Sequence, residues 1–303
     1  MKNYDIEMWR YAKELKVPSS DLILGHEHKN LSSAVLQSVN IRTNELGMRG
    51  AQIPANSKNP TILFLGSSIT LGWGVAEEET IAVQTEKLLK KNGFDAVVLN
   101  GGIGNYNSER YVQLFLTKLK QINPTDIVVH FFLRDAEILD SGRGNWLLKN
   151  SQLAVTLWNL YQQSAMAKGG VTVESRYKEL YSPTHPGHQR MITALTRLRH
   201  YAKDHNIRLY LAVTPDVHNL INYPFTFIHK QMEIISRDLG YEFVDLYPSL
   251  KGLKPEEVWS MPGDPHPNGY GHRKMAETIV PILEKEIFNK SISSQKTLKP
   301  NAF

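Results

Sequence analysis

The chain has 303 residues, 41% of them hydrophobic and 21% charged, which is the balance of an ordinary folded protein and excludes a disordered or repetitive scaffold. Lys and Arg number 35 against 30 Asp and Glu, and this +5 is scattered among acids with no basic and aromatic stripe, so no nucleic-acid partner follows. Zero cysteines exclude a disulfide framework, thiol catalysis and any thiolate metal site.

The opening residues, MKNYDIEMWRYAKELK, lack the apolar core of a secretory signal, and no stretch approaches the roughly 18 apolar residues of a membrane span. The chain as it stands is expected to be soluble, which points to the cytoplasm unless a leader precedes it. Residues 1–60 are expected to form a helix and then irregular structure packed on the main domain, which takes 61–287. Residues 288–303 (NKSISSQKTLKPNAF follows Phe288) are polar and basic and read as a flexible tail.

Residues 61–65 (TILFL) make a short apolar run ending at Gly66, and 79–91 carry apolar positions at helical spacing through Ile81, Val83, Leu88 and Leu89. That is a strand, a loop and a helix. The pattern recurs as strand 96–99 with helix 108–121, and as strand 126–132 with helix 146–166. It continues as helix 187–204, strand 207–213, helix 224–239, strand 241–246 and helix 269–287. Parallel neighbours need crossover connections, so five such strands predict a parallel sheet covered on both faces, a three-layer α/β/α sandwich. Residues 140–188 are longer than a crossover needs and are expected to hold an insertion over one rim of the sheet.

Ligands of open parallel sheets sit beyond the carboxyl ends of the strands, so the loops there are where chemistry is expected. After the first strand, Gly66-Ser67-Ser68 offers a serine hydroxyl and a backbone N–H to one pocket, as a nucleophile requires. After the second, Asn100-Gly101-Gly102-Ile103-Gly104-Asn105-Tyr106-Asn107 lets main-chain N–H groups approach a ligand and places polar side chains beside them. A dinucleotide loop is the rival for this stretch, but Gly102-Ile103-Gly104 lacks the third spaced glycine and follows the second strand, not the first. Near the C-terminus, Asp264-Pro265-His266-Pro267 holds an imidazole between two prolines with a carboxylate close by, which suits a general base.

Taken together these loops resemble the SGNH, or GDSL-type, hydrolase superfamily. The resemblance runs from about residue 61 to 287, in the family's order and at a strand's end each time. It implies the flavodoxin-like SGNH hydrolase fold, Ser68 as nucleophile, His266 and Asp264 as its catalytic partners, and Ser68, Gly104 and Arg134 around the oxyanion. Asn105, Asn107 and Asp135 become candidates for holding substrate. The stretch Asn44-Glu45-Leu46-Gly47-Met48-Arg49-Gly50 is similar to the lead-in of members associated with bacterial surface polysaccharides.

Three positions depart from the family pattern. Ser67 stands where the family has Asp, and Asp264 and His266 are one residue apart where the family has two, leaving a triad or a Ser68–His266 dyad open. Arg134 stands where the family has the oxyanion Asn; its guanidinium can serve the oxyanion, bind an anionic substrate group, or pair with Asp135 or Glu137.

The activity implied is a serine esterase acting on O-acyl, most simply O-acetyl, esters of a carbohydrate, with no metal or organic cofactor. An O-acetyltransferase using the same serine, or a weakly active glycan-binding protein, are the alternatives. His26 and His28 are too few for a zinc site and are expected to pack, as are His185 and His188.

Overall fold

The computed structural model describes residues 4–54, 59–139, 172–262 and 266–297. Helix α1 (Tyr4–Glu14) is followed by two short antiparallel hairpins, β1 (Lys16–Pro18) with β2 (His26–His28) and β3 (Ser33–Leu36) with β4 (Val39–Arg42). These hairpins replace the irregular structure expected there. The second turns on Gln37 and Ser38, both at positive φ (52° and 66°), the geometry of a two-residue type I′ turn. Neither residue belongs to the Asn-Gly class that signals such a turn. The backbone N–H of Gln37 donates to Glu7 of α1 at 2.7 Å, so a contact distant in sequence anchors it.

The main domain then runs β5 (Thr61–Gly66), α2 (Ser68–Leu71), α3 (Ile81–Lys91), β6 (Val97–Gly102), α4 (Ser108–Thr117) and β7 (Asp126–Phe132). It continues with α5 (Val173–Leu180), α6 (Pro186–Asp204), β8 (Arg208–Thr214), α7 (Thr226–Leu239) and β9 (Glu242–Asp245). The chain closes with α8 (Tyr247–Leu250), α9 (Pro255–Val258) and α10 (Gly269–Thr297). α10 therefore runs on past residue 287, into the stretch read as a tail. The helix expected over 146–166 lies outside the described residues.

The five main strands are all parallel, in the order β6-β5-β7-β8-β9. The three-layer sandwich is as expected: α3 packs beside α10 and α4 beside α6. Every residue of β7, the central strand, is buried, which fits its largely apolar sequence. Its two polar members are both bonded. Asp126 takes a two-pronged bond from Arg208 (2.6 and 2.7 Å), and His130 lies between the hydroxyls of Thr70 (3.1 Å) and Thr214 (2.6 Å).

The chain steps from β5 outward to β6 and then back across to β7, so the strand order reverses beside β5. A crevice opens at the carboxyl end of such a switch point. Helix α2 lies across that end only because two glycines make room. A Cβ on Gly66 would come within 2.0 Å of the Thr70 hydroxyl, and one on Gly102 within 2.2 Å of the Leu71 amide nitrogen. Gly101 and Gly102 are thus the last residues of β6, paired with Leu65 and Gly66, and not part of a free ligand-holding loop as expected. Gly102→Ala should push α2 off the sheet and lower stability by about 1–3 kcal/mol, the usual cost of overpacking. A urea midpoint equal to wild type would refute that close approach.

Candidate active site

Ser68 opens α2 directly beyond β5, where the first amides of a helix have no intrahelical acceptor. Its hydroxyl is 2.7 Å from Nε2 of His266, a residue 198 positions away. The histidine segment is pinned by backbone bonds: Ser260 N–H donates to the His266 carbonyl (2.8 Å) and Asn268 N–H to that of Val258 (2.7 Å). The Trp259 indole adds a bond to the Val217 carbonyl at 3.1 Å. Asn268 also caps α10, accepting from Gly271 N–H at 3.0 Å. Asp264 lies outside the described residues, so the structure joins the serine and the histidine of the expected set.

The Ser68 segment is held from behind. Arg49, 4% exposed, donates to the carbonyls of Leu71 (2.8 Å), Gly72 (2.6 Å) and Val75 (2.6 Å), placing a cation where α2 ends. The lead-in motif thus supplies a support for the Ser68 segment. Tyr11, Leu15, Leu36, Ile41, Leu71 and Trp73 form a small apolar cluster between the N-terminal segment and the same stretch.

One cavity is bordered by Ser68, His266, Asn105, Phe132, Arg134, Asp216 and His218, with Met8 of α1 in its wall. Sequence reasoning missed the Asp216–His218 pair. Asp216 Oδ1 accepts from both the N–H (2.9 Å) and the Nδ1 of His218 (2.6 Å). The signal was available, since Asp216-Val217-His218 follows a strand with the same spacing as Asp264 and His266.

Several expected site residues do other work. Gly104 was expected to offer its N–H to the oxyanion; it donates instead to the Tyr11 hydroxyl at 2.9 Å, a partner 93 residues away. Its neighbour Asn105 borders the cavity, at φ 65°, in the left-handed region that Asn tolerates better than most residues. Asn107, expected to touch substrate, is buried with both ends of its amide engaged: Oδ1 accepts from Arg110 N–H (3.0 Å) and Nδ2 donates to the Glu137 carbonyl (2.8 Å). Asp135, another such candidate, does border the same cavity; it is 2% exposed and accepts from the Phe132 N–H at 3.0 Å and from Ser67. Burial pushes its carboxyl well above the usual carboxylate range, although both bonds pull the other way. It ties the loop after β7 to the residue beside Ser68.

Of the three roles open to Arg134, pairing with Glu137 is the one seen, through Nε (3.2 Å) and Nη2 (3.1 Å). Arg176 holds the other Glu137 oxygen at 3.1 Å, so two cations share one carboxylate at the cavity's edge. His26 and His28 are engaged in hydrogen bonds to Gly104, Tyr11 and Gly47, and His185 caps α6 by accepting from Gly187 N–H at 3.1 Å. Among the described residues no three His, Asp or Glu converge as a metal site, and no helix is long and apolar enough to cross a membrane.

No family model and no curated protein matches the chain. Among solved structures it is similar to the psychrotrophic esterase EstA from Pseudoalteromonas sp., with 15% identity, a TM-score of 0.48, and coverage of 76% of this chain and 99% of that one. It is also similar to a two-domain esterase active on acetylated mannans, with 19% identity, a TM-score of 0.48, and coverage of 75% of this chain and 49% of that one. A third likeness is to a catalytic mutant of an acetylxylan esterase from Geobacillus stearothermophilus, with 16% identity, a TM-score of 0.47, and coverage of 73% and 92%.

Proposed function

We propose that this protein is a serine esterase of the SGNH type that cleaves O-acyl esters through Ser68 and His266. The observation that carries the reading is the 2.7 Å contact between the Ser68 hydroxyl and Nε2 of His266, made at the carboxyl end of the sheet beside a cavity. A nucleophile and base within hydrogen-bond reach are what acyl transfer to an enzyme needs.

In this mechanism His266 Nε2 takes the Ser68 proton as Oγ bonds to the ester carbonyl carbon. The oxyanion so formed is held by the backbone N–H of Ser68 and, in place of Gly104, that of Asn105. As the tetrahedral species collapses, the bond to the alcohol breaks and the leaving oxygen takes the proton from Nε2. Water, giving a proton to the same nitrogen, then adds to the acyl carbon; collapse returns that proton to Ser68 and releases the acid. Asp264 is the proposed orienting group for Nδ1 of His266. Arg134 would meet a polar or anionic part of the substrate at the cavity's edge, and the family resemblance points to an acylated carbohydrate.

A fluorophosphonate probe should label the protein once, on Ser68, as located by peptide mass. Absence of labelling on folded protein, together with measurable glycan binding, would overturn the esterase and leave a binding protein. Labelling with acyl transfer to a sugar hydroxyl in place of water would make the same serine that of an acetyltransferase.

A further inference from the structure

The Gly104 backbone groups are held by three side chains, all of them from the first 28 residues. Lys16 Nζ donates to the Gly104 carbonyl at 2.7 Å, and His26 Nε2 lies 3.1 Å from the same oxygen, to which it can only donate. The Gly104 N–H donates to the Tyr11 hydroxyl. That hydroxyl in turn bonds Nε2 of His28, whose Nδ1 donates to the Gly47 carbonyl at 2.9 Å. Residue 104 must be glycine for this embrace, because a Cβ there would sit 2.5 Å from the Tyr11 ring.

A peptide unit is planar and, with no cis bonds among the described residues, its C=O and the following N–H point in opposite directions. Pulling the Gly104 oxygen toward Lys16 and His26 therefore turns the Asn105 N–H away from those two side chains, and Asn105 is one of the residues that border the cavity with Ser68. We propose that Lys16, assisted by His26, is a positioning residue that aims and polarises the Asn105 N–H as an oxyanion donor, so that the N-terminal segment is part of the active site. This rests on the esterase reading above.

The energetics of Lys16 favour such a role over mere packing. Its ammonium group is desolvated, the charge that bears on it is that of Arg110, another cation, and burial with this repulsion brings its pKa down to about 7. Its ring neighbour Tyr11, 4.2 Å away at the centroid, compensates only in part. An aliphatic side chain would fill the space with no such penalty. What the protonated amine, populated as pH falls through about 7, does that an aliphatic chain cannot is withdraw electron density from the Gly104 carbonyl and so strengthen the N–H at the other end of the same amide.

The test compares full-length wild type, Lys16→Met and Lys16→Gln on an aryl acetate, with rates expressed per active site counted by fluorophosphonate titration. Loss of an oxyanion donor costs about 10²–10³ in rate, and a misaimed one part of that. Lys16→Met is expected to lower kcat about tenfold or more with KM within about twofold of wild type, and Lys16→Gln, which keeps a donor without the charge, to fall between them. A merely structural lysine would lower the count of active sites or the melting temperature and leave kcat per titrated serine alone, and that result overturns the proposal. Should Lys16→Met not fold, Lys16→Gln decides by the same measure: wild-type kcat per site refutes the role. Wild type that is neither labelled nor active removes the esterase reading itself, and this inference with it, whereas an active wild type beside unimpaired variants removes this inference alone.

Discussion

Ser68→Ala protein should hydrolyse an aryl acetate at no more than about 10³–10⁴ times the rate of water, the residue of catalysis left when oxyanion donors and binding remain but the nucleophile is gone. In the proposed mechanism the serine and histidine act as one unit, joined by the 2.7 Å contact between them. Ser68→Ala, His266→Ala and the double variant are therefore expected to fall to a similar floor, in contrast to independent sites, whose losses multiply. Initial rates on folded protein, checked by circular dichroism, measure this. Ser68→Ala turning over as fast as wild type would end the mechanism, and a double variant far below both singles would show that they do not work together.

The second large effect expected is acid unfolding driven by buried histidines. His28, His130 and His272 are 2%, 2% and 1% exposed, and burial lowers each to about 3. For His28 the nearby Lys16, Lys118 and Arg49 add to that lowering, and for His272 so do His130, Arg49 and His266. An unfolded chain binds these three protons near pH 6.5 while the folded one refuses them down to about 3. The sign follows: stability is intact above about pH 6.5 and is lost as pH falls below it. Asp135 opposes, because its raised carboxyl keeps a proton in the fold that the unfolded chain releases. His28, His130 and His272 contribute up to about 1.4 kcal/mol per pH unit each, His26, lowered to about 2, adds to them and Asp135 subtracts, which leaves a slope of several kcal/mol per pH unit against a total stability of order 5–15 kcal/mol. Urea midpoints should therefore fall steeply between about pH 6 and 4, and His130→Gln should make the slope shallower by about 1.4 kcal/mol per pH unit. A midpoint that stays level over this range would contradict the placement of these rings.

Much of the sandwich was legible because its signals are local. β7 was expected over the residues it occupies, since a strand buried on both faces is mostly apolar, and α3, α6 and α7 were found within a few residues of their expected ends. The two hairpins before β5 were not legible, because Gln37 and Ser38 take the turn's positive φ without the residues that normally announce it, and a bond from Glu7 is part of what holds them there. Asp216 and His218 went unnoticed for another reason: a pair two residues apart is common, and only its place at the cavity distinguishes it.

By itself the sequence determined the order of strands and helices, because apolar period and turn chemistry are written along the chain, and its resemblance to the SGNH pattern picked out which serine and histidine to suspect. Only the tertiary structure decided which groups meet. It took the Gly104 N–H for Tyr11, engaged both ends of the Asn107 amide in the fold and set Arg134 against Glu137. It also brought Lys16 Nζ within 2.7 Å of the Gly104 carbonyl. Hydrogen bonds act over about 3 Å and are directional, so their partners depend on a three-dimensional approach that spacing along a chain does not encode.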